Sequence, residues 1–136
     1  MRASFAIDTN IAFYAFSDDP KNEIALAVLE AGPCISVQLI NEFANASRRK
    51  KKLTWTEIET SLLAIKSLVE TIRPVDIDVH HRGFDIAVKY QLSVYDSMII
   101  AAALIDGCDT LYSEDMQHGL IIDETLTIID PFLEPI

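Results

Sequence analysis

The chain has 136 residues, half of them hydrophobic, a net charge of −10 and a slightly positive mean hydropathy of +0.22. That supplies apolar material for one core in a single domain spanning residues 1–136, while the longest apolar run, Met98 to Ile105, falls far short of the roughly 20 residues that cross a bilayer. The opening residues lack an export signal, and Cys34 and Cys108 lie in apolar surroundings without paired or metal-ligand spacing, so a cytoplasmic chain with buried reduced thiols is expected.

Residues 3–7 read as a short buried strand that ends at Asp8-Thr9-Asn10. Ile11 to Phe16 read as a short helix, broken by Asp18-Asp19-Pro20. A second helix buries Ile24, Leu26, Ala27, Val28 and Ala31 and stops at Gly32-Pro33. Cys34 to Val37 form the next strand, with Ser36 placed to cap a helix whose inner stripe is Ile40, Phe43, Ala44 and Ser47. That helix ends in Arg48-Arg49-Lys50-Lys51-Lys52, where cations meet the negative end of the helix dipole. Thr54-Trp55-Thr56-Glu57 has capping-box spacing and opens a fourth helix, which should form a hairpin with the third.

Thr71 to Val75 read as a strand whose Pro74 suits a sheet edge. Val79 to Tyr90 support a helix despite Gly83, and Ser93 to Asp106 form one so apolar on most faces that it must be buried, ended by Gly107. Thr110 to Ser113 make a strand leading into Glu114-Asp115, and Leu126 to Ile129 make the last. Strands alternating with helices imply an α/β fold with a central parallel sheet of about five strands.

Four acids, Asp8, Glu42, Asp96 and Asp115, each stand where an apolar segment gives way to a turn or in the helix that follows a strand. In an open parallel sheet all such positions converge on one edge. Each acid also has a simpler reading. Asp8 is a good helix cap, although Thr9 and Asn10 could cap equally well. Asp96 stands three residues after Ser93, at capping-box spacing, yet begins a helix that is otherwise buried. Glu42 has Ala46 where a helical salt-bridge partner would sit, and Asp115 is a loop acid. Only their shared edge makes them a set. Asp18, Asp19, Asp76, Asp78, Asp123 and Glu124 fall in turns or at opposite ends of elements and read as solvated charge.

The negative total charge opposes binding to a phosphate backbone, but its distribution does not. Five of the eleven basic residues form the block Arg48 to Lys52, a candidate RNA contact or simply a solvated helix terminus. His80, His81 and His118 read as bystanders, although His118 follows the Asp115 loop and could touch a substrate.

The segments Phe5-Ala6-Ile7-Asp8-Thr9-Asn10, Asn41-Glu42-Phe43, Val94-Tyr95-Asp96-Ser97-Met98-Ile99 and Thr110 to Gly119 resemble, in order and spacing, the acidic motifs of the PIN domain family, and within it the VapC-type toxins. The resemblance implies a three-layer α/β/α sandwich and a ribonuclease using one or two Mg²⁺ or Mn²⁺ ions. Asp8, Glu42, Asp96 and Asp115 would be the metal-holding catalytic acids, with Asn10 and Ser113 orienting carboxylates or water. It further implies an RNA substrate cut to 5′-phosphate and 3′-hydroxyl ends, a cognate antitoxin over the helical hairpin near Trp55, a homodimer and no membrane association. The rivals are a non-catalytic binding module that keeps the site, and a haloacid-dehalogenase-like phosphatase. The phosphatase needs a second Asp where this chain has Asn10.

Overall fold

The computed structural model describes residues 4–133, so Ala3, the expected first residue of the opening strand, lies outside them. The elements are β1 (Phe5–Ile7), α1 (Thr9–Ala15), α2 (Asn22–Glu30), β2 (Cys34–Ser36), α3 (Val37–Arg49), α4 (Trp55–Leu68), β3 (Thr71–Arg73), α5 (Ile77–Tyr90), α6 (Val94–Ile105), β4 (Thr110–Tyr112), β5 (Ile121–Ile122) and β6 (Leu126–Ile129). The sheet order is β3-β2-β1-β4-β6-β5. Every pairing is parallel except that of β5 with β6.

Side chains alternate across the sheet, and the alternation makes two cores. Ala6, Cys34, Leu111 and Ile128 face α5 and α6, packing with Val79, Ile86, Ile99 and Ile100. Ile7 and Ile35 face the other way, into Ile11, Leu29, Phe43 and Ile65 of α1 to α4. The result is the expected three-layer sandwich, and both cysteines are buried free thiols inside it. Gly83 is there for packing: a Cβ would stand 2.8 Å from the Met98 sulfur and 3.2 Å from the Ser97 carbonyl, so its absence lets α5 and α6 close together. Gly107 ends α6 at φ +82°, a left-handed turn in which the Cys108 N–H donates to the Ala103 carbonyl at 3.0 Å.

The five expected strands are the parallel ones, and Pro74 follows β3 on the outer edge as its position suggested. The sixth strand, β5, is an addition. Three local expectations are corrected. Helix α2 buries Ala25, Val28 and Leu29, while Ile24, Ala27 and Ala31 are exposed. Helix α1 starts at Thr9, with Asp8 itself as the capping residue. Ser36 does occupy the cap position of α3 but makes no capping bond, and its buried hydroxyl has no hydrogen-bond partner among the described residues. The Thr54–Glu57 capping box forms in both directions. Among the described residues no single helix is long and apolar enough to cross a membrane.

Candidate active site

β1 and β4 run side by side with Ile7 opposite Tyr112, so the residues that follow, Asp8 and Ser113, leave the sheet together at its C-terminal edge. The Asp8 N–H donates to the Tyr112 carbonyl at 2.9 Å, which continues the ladder by one step. Asp8 is only 5% exposed. Its Oδ1 accepts from the Thr9 N–H at 2.7 Å, and its Oδ2 from the Ser113 hydroxyl at 2.8 Å and the Asn10 amide at 3.2 Å.

The same Asn10 amide reaches Asp115 Oδ2 at 3.2 Å, tying the first acid to the last across more than a hundred residues. Ser113 also accepts from the Met116 N–H at 3.2 Å, which folds the Asp115 loop back over the strand end. Glu42, in the second turn of α3, is held from both sides. The Thr9 hydroxyl donates to its Oε1 at 2.6 Å and the Gln38 amide to its Oε2 at 2.8 Å. Asp96 lies in the first turn of α6, where Ser93 caps the helix by accepting from the Asp96 N–H at 3.1 Å.

The four acids are near enough to feel one another's charge. Burial pushes the Asp8 carboxyl from 3.8 up to about 6, against the hydrogen bonds of Ser113 and Thr9 and with help from the charges of Asp96 and Glu42. Asp96 is raised as well, first by burial and then by Glu42 and Asp115, with the Ser93 hydroxyl opposing. In both carboxyls burial is the larger cause, and the neighbouring carboxylates add to it.

The donor set is all oxygen, the chemistry of hard divalent ions. No three Asp, Glu, His or Cys side chains among the described residues close around a single point. One or two of these carboxylates with retained waters is the coordination Mg²⁺ adopts, so the residues fit such an ion.

Two of the four acids, Glu42 and Asp115, line a cleft of about 530 Å³ together with Asn10 and, opposite in charge, Arg49, Lys50 and Lys51. Part of the basic block therefore borders the acids rather than standing apart from them. Arg48 is turned away, stacked 4.8 Å from the Trp55 ring and donating to the Leu53 carbonyl at 2.9 Å. Lys52 is absent from the lining and takes a left-handed backbone, φ +55°. His118 Nδ1 accepts from the Asp130 N–H at 3.0 Å, a bond that pins the loop to the end of β6.

Sequence reasoning missed the residues that hold Glu42. Gln38 was visible one turn earlier on the same helix face, whereas nothing local pointed to Thr9, thirty-three residues away. It also passed over Glu114, whose carboxylate takes the Tyr14 hydroxyl at 2.6 Å and pairs with Lys21. That bond raises the Tyr14 hydroxyl; at Glu114, burial acts upward but the bonds from Lys21 and Tyr14 prevail and lower it.

A mostly parallel α/β/α sandwich with carboxylates gathered at the C-terminal edge of its sheet defines the class of this protein. The model of the PIN domain family matches residues 5–119, and the chain belongs to that family. Membership removes the phosphatase alternative. Comparison with curated protein sequences gives no significant match. Among solved structures, the chain is similar to a toxin-antitoxin complex from Klebsiella pneumoniae, with 22% identity, TM-score 0.71 and coverage of 95% of this chain and 98% of that one. It is similar to VapC20 of Mycobacterium tuberculosis, a sarcin-ricin loop cleaving toxin, at 17% identity and TM-score 0.67 over 82% and 90% of the two chains. It is also similar to VapBC2 of Rickettsia felis bound to a promoter DNA fragment, at 19% identity and TM-score 0.66 over 91% and 96%.

Proposed function

We propose that this chain is a metal-dependent endoribonuclease, the toxin of a type II toxin-antitoxin pair, and that residues 1–136 act as one nuclease domain. The observation that carries the reading is Asp8: a carboxylate buried at the sheet edge, fixed by three donors, and placed beside acids that raise its proton affinity. Such an arrangement costs stability unless a cation enters. Asp8, Glu42, Asp96 and Asp115 would hold one or two Mg²⁺ or Mn²⁺ ions directly or through water. A bound ion of this kind supplies Lewis acidity, lowering the pKa of water and offsetting charge on the phosphate.

The remaining work belongs to the chain. Asn10 and Ser113 keep the Asp8 oxygens in place, and the Asn10 amide also touches Asp115. Thr9 and Gln38 occupy one lone-pair direction on each Glu42 oxygen, leaving the others toward the cleft. Arg49, Lys50 and Lys51 draw the RNA backbone into the cleft, overcoming the repulsion of a −10 chain. Cleavage leaves 5′-phosphate and 3′-hydroxyl ends.

The likeness to toxin-antitoxin structures supports an antitoxin partner, and we propose with it a cytoplasmic homodimer. Trp55 and Leu63 of α4 are 64% and 62% exposed, an apolar surface on the α3–α4 hairpin for the antitoxin to cover. Incubating purified protein with RNA and Mg²⁺ or Mn²⁺ tests the reading. Cleavage that stops with chelator and yields 5′-phosphate ends supports it, whereas RNA binding without cleavage in either metal leaves the non-catalytic binding module in its place.

A further inference from the structure

Asp115 is weakly anchored by its own side chain. It lies in the loop between β4 and β5, outside any helix or strand. Among the described residues its one hydrogen bond to a side chain comes from Asn10 Nδ2, and that amide, with two hydrogens, also serves Asp8 Oδ2 at 3.2 Å and Ser113 Oγ at 3.5 Å. Three acceptors for two hydrogens do not fix a loop carboxylate.

The neighbouring Glu114 is fixed far better. Its N–H donates to Asn10 Oδ1 at 3.2 Å and its Oε1 accepts from the Tyr14 hydroxyl at 2.6 Å. Asn10 and Tyr14 stand four residues apart on α1, hence on one face a turn apart. The loop backbone is thus gripped at two points along the same helix, which blocks rotation as well as translation. A third point comes from Lys21, which pairs with Oε2. Lys21 is itself seated 5.0 Å over the Tyr14 ring and 5.3 Å over the Phe132 ring, and those two rings pack edge to face at 5.3 Å. The Asn22 amide closes the far end of α1, donating to the Tyr14 carbonyl at 3.3 Å and the Ala15 carbonyl at 2.9 Å.

We propose that Glu114 is a positioning residue for Asp115, a clamp to α1 and Lys21 that holds the last acid at the distance the site needs. The proposal rests on the metal-site reading above. Carboxylates and amides that orient metal-holding groups are worth about 10–100-fold in metal affinity when removed.

The test compares Glu114→Ala, Glu114→Gln and Tyr14→Phe with the wild-type chain. In metal-free protein, the Asn10 side-chain amide resonances report the clamp by NMR. Glu114→Ala should move them toward solvated values and speed their exchange with water, and calorimetry should show Mn²⁺ binding weakened by about tenfold or more. Glu114→Gln keeps an acceptor for Tyr14 and should lie between, as should Tyr14→Phe. With RNA, kcat should fall in that order while KM stays near wild type. Unchanged Asn10 resonances and Mn²⁺ affinity in Glu114→Ala would overturn the clamp, as would a lower melting temperature with both readouts intact, since that marks a merely structural ion pair. If the wild-type chain cleaves no RNA, the ribonuclease reading fails, and the Asn10 amide still decides the clamp.

Discussion

The acid side of the site and the basic side beside it are built on opposite plans. The acids come from four places in the chain: Asp8 is buried, Glu42 and Asp96 are half-buried and Asp115 is exposed, and Thr9, Asn10, Gln38 and Ser113 hold all of them but Asp96. The bases are three consecutive residues at the end of α3, all exposed, with Lys51 resting 5.8 Å from the Phe13 ring. A side fixed by hydrogen bonds has its geometry set before anything binds, which is what chemistry at a defined point requires. Flexible cations adapt to a backbone and contribute mainly affinity. The acid side should therefore govern turnover, and the basic side capture.

The largest effect that would sharpen this contrast is Asp8→Asn. Charge stabilisation by a site metal is worth several kcal/mol, so RNA cleavage should fall by about a thousandfold or more while circular dichroism shows the fold intact. Next comes Thr9→Val, which removes the 2.6 Å bond to Glu42; Mn²⁺ affinity measured by calorimetry should drop about tenfold. Lys50→Gln with Lys51→Gln should leave kcat alone, raise KM, and reduce the slope of log affinity against log salt by about two. A fall in kcat with KM unchanged would break the division of labour.

Smaller effects appear without metal. Asp8 titrates near 6 in the folded chain and near 4 when unfolded, so between those values the native state holds the proton and the unfolded state does not. Metal-free stability should therefore decline as pH rises from about 4 to about 6 and level off above, a slope that Asp8→Asn reduces. Denaturant midpoints across that range check it. Asp96→Asn relieves burial of charge and repulsion from Glu42 and Asp115, so its metal-free melting temperature should rise by a few degrees, roughly. A clear fall would show that the Asp96 carboxylate serves the helix rather than the site.

Where the sequence spoke plainly, the elements carried long apolar patterns or explicit caps. The buried run of α6, the Thr54–Glu57 box and the Gly32 and Gly107 stops are of this kind. β5 went unseen because two residues cannot display an alternation. Its turn to β6 also places Asp123 and Glu124 at φ +49° and +58°, without the Asn-Gly or Asp-Gly pair that announces such turns.

In the site, the acids were legible because strand ends of a parallel sheet must converge. Their supports were not, since the Thr9–Glu42 and Asn10–Asp115 bonds depend on how α1 lies against α3 and the last loop. Asp8 shows a limit of weighing roles as rivals: it caps α1, through the Thr9 N–H, and stands at the centre of the acid site with its other oxygen. The basic block was readable as a run of charge, but not which of its members turn toward the acids.

The most direct measurement is RNA cleavage by wild-type and Asp8→Asn protein across a Mn²⁺ titration, with Mn²⁺ binding recorded on the same preparations. A metal-holding acid side requires cleavage that rises with Mn²⁺ occupancy in the wild type, and loss of both binding and cleavage in the variant. Cleavage by Asp8→Asn with wild-type metal dependence would contradict it.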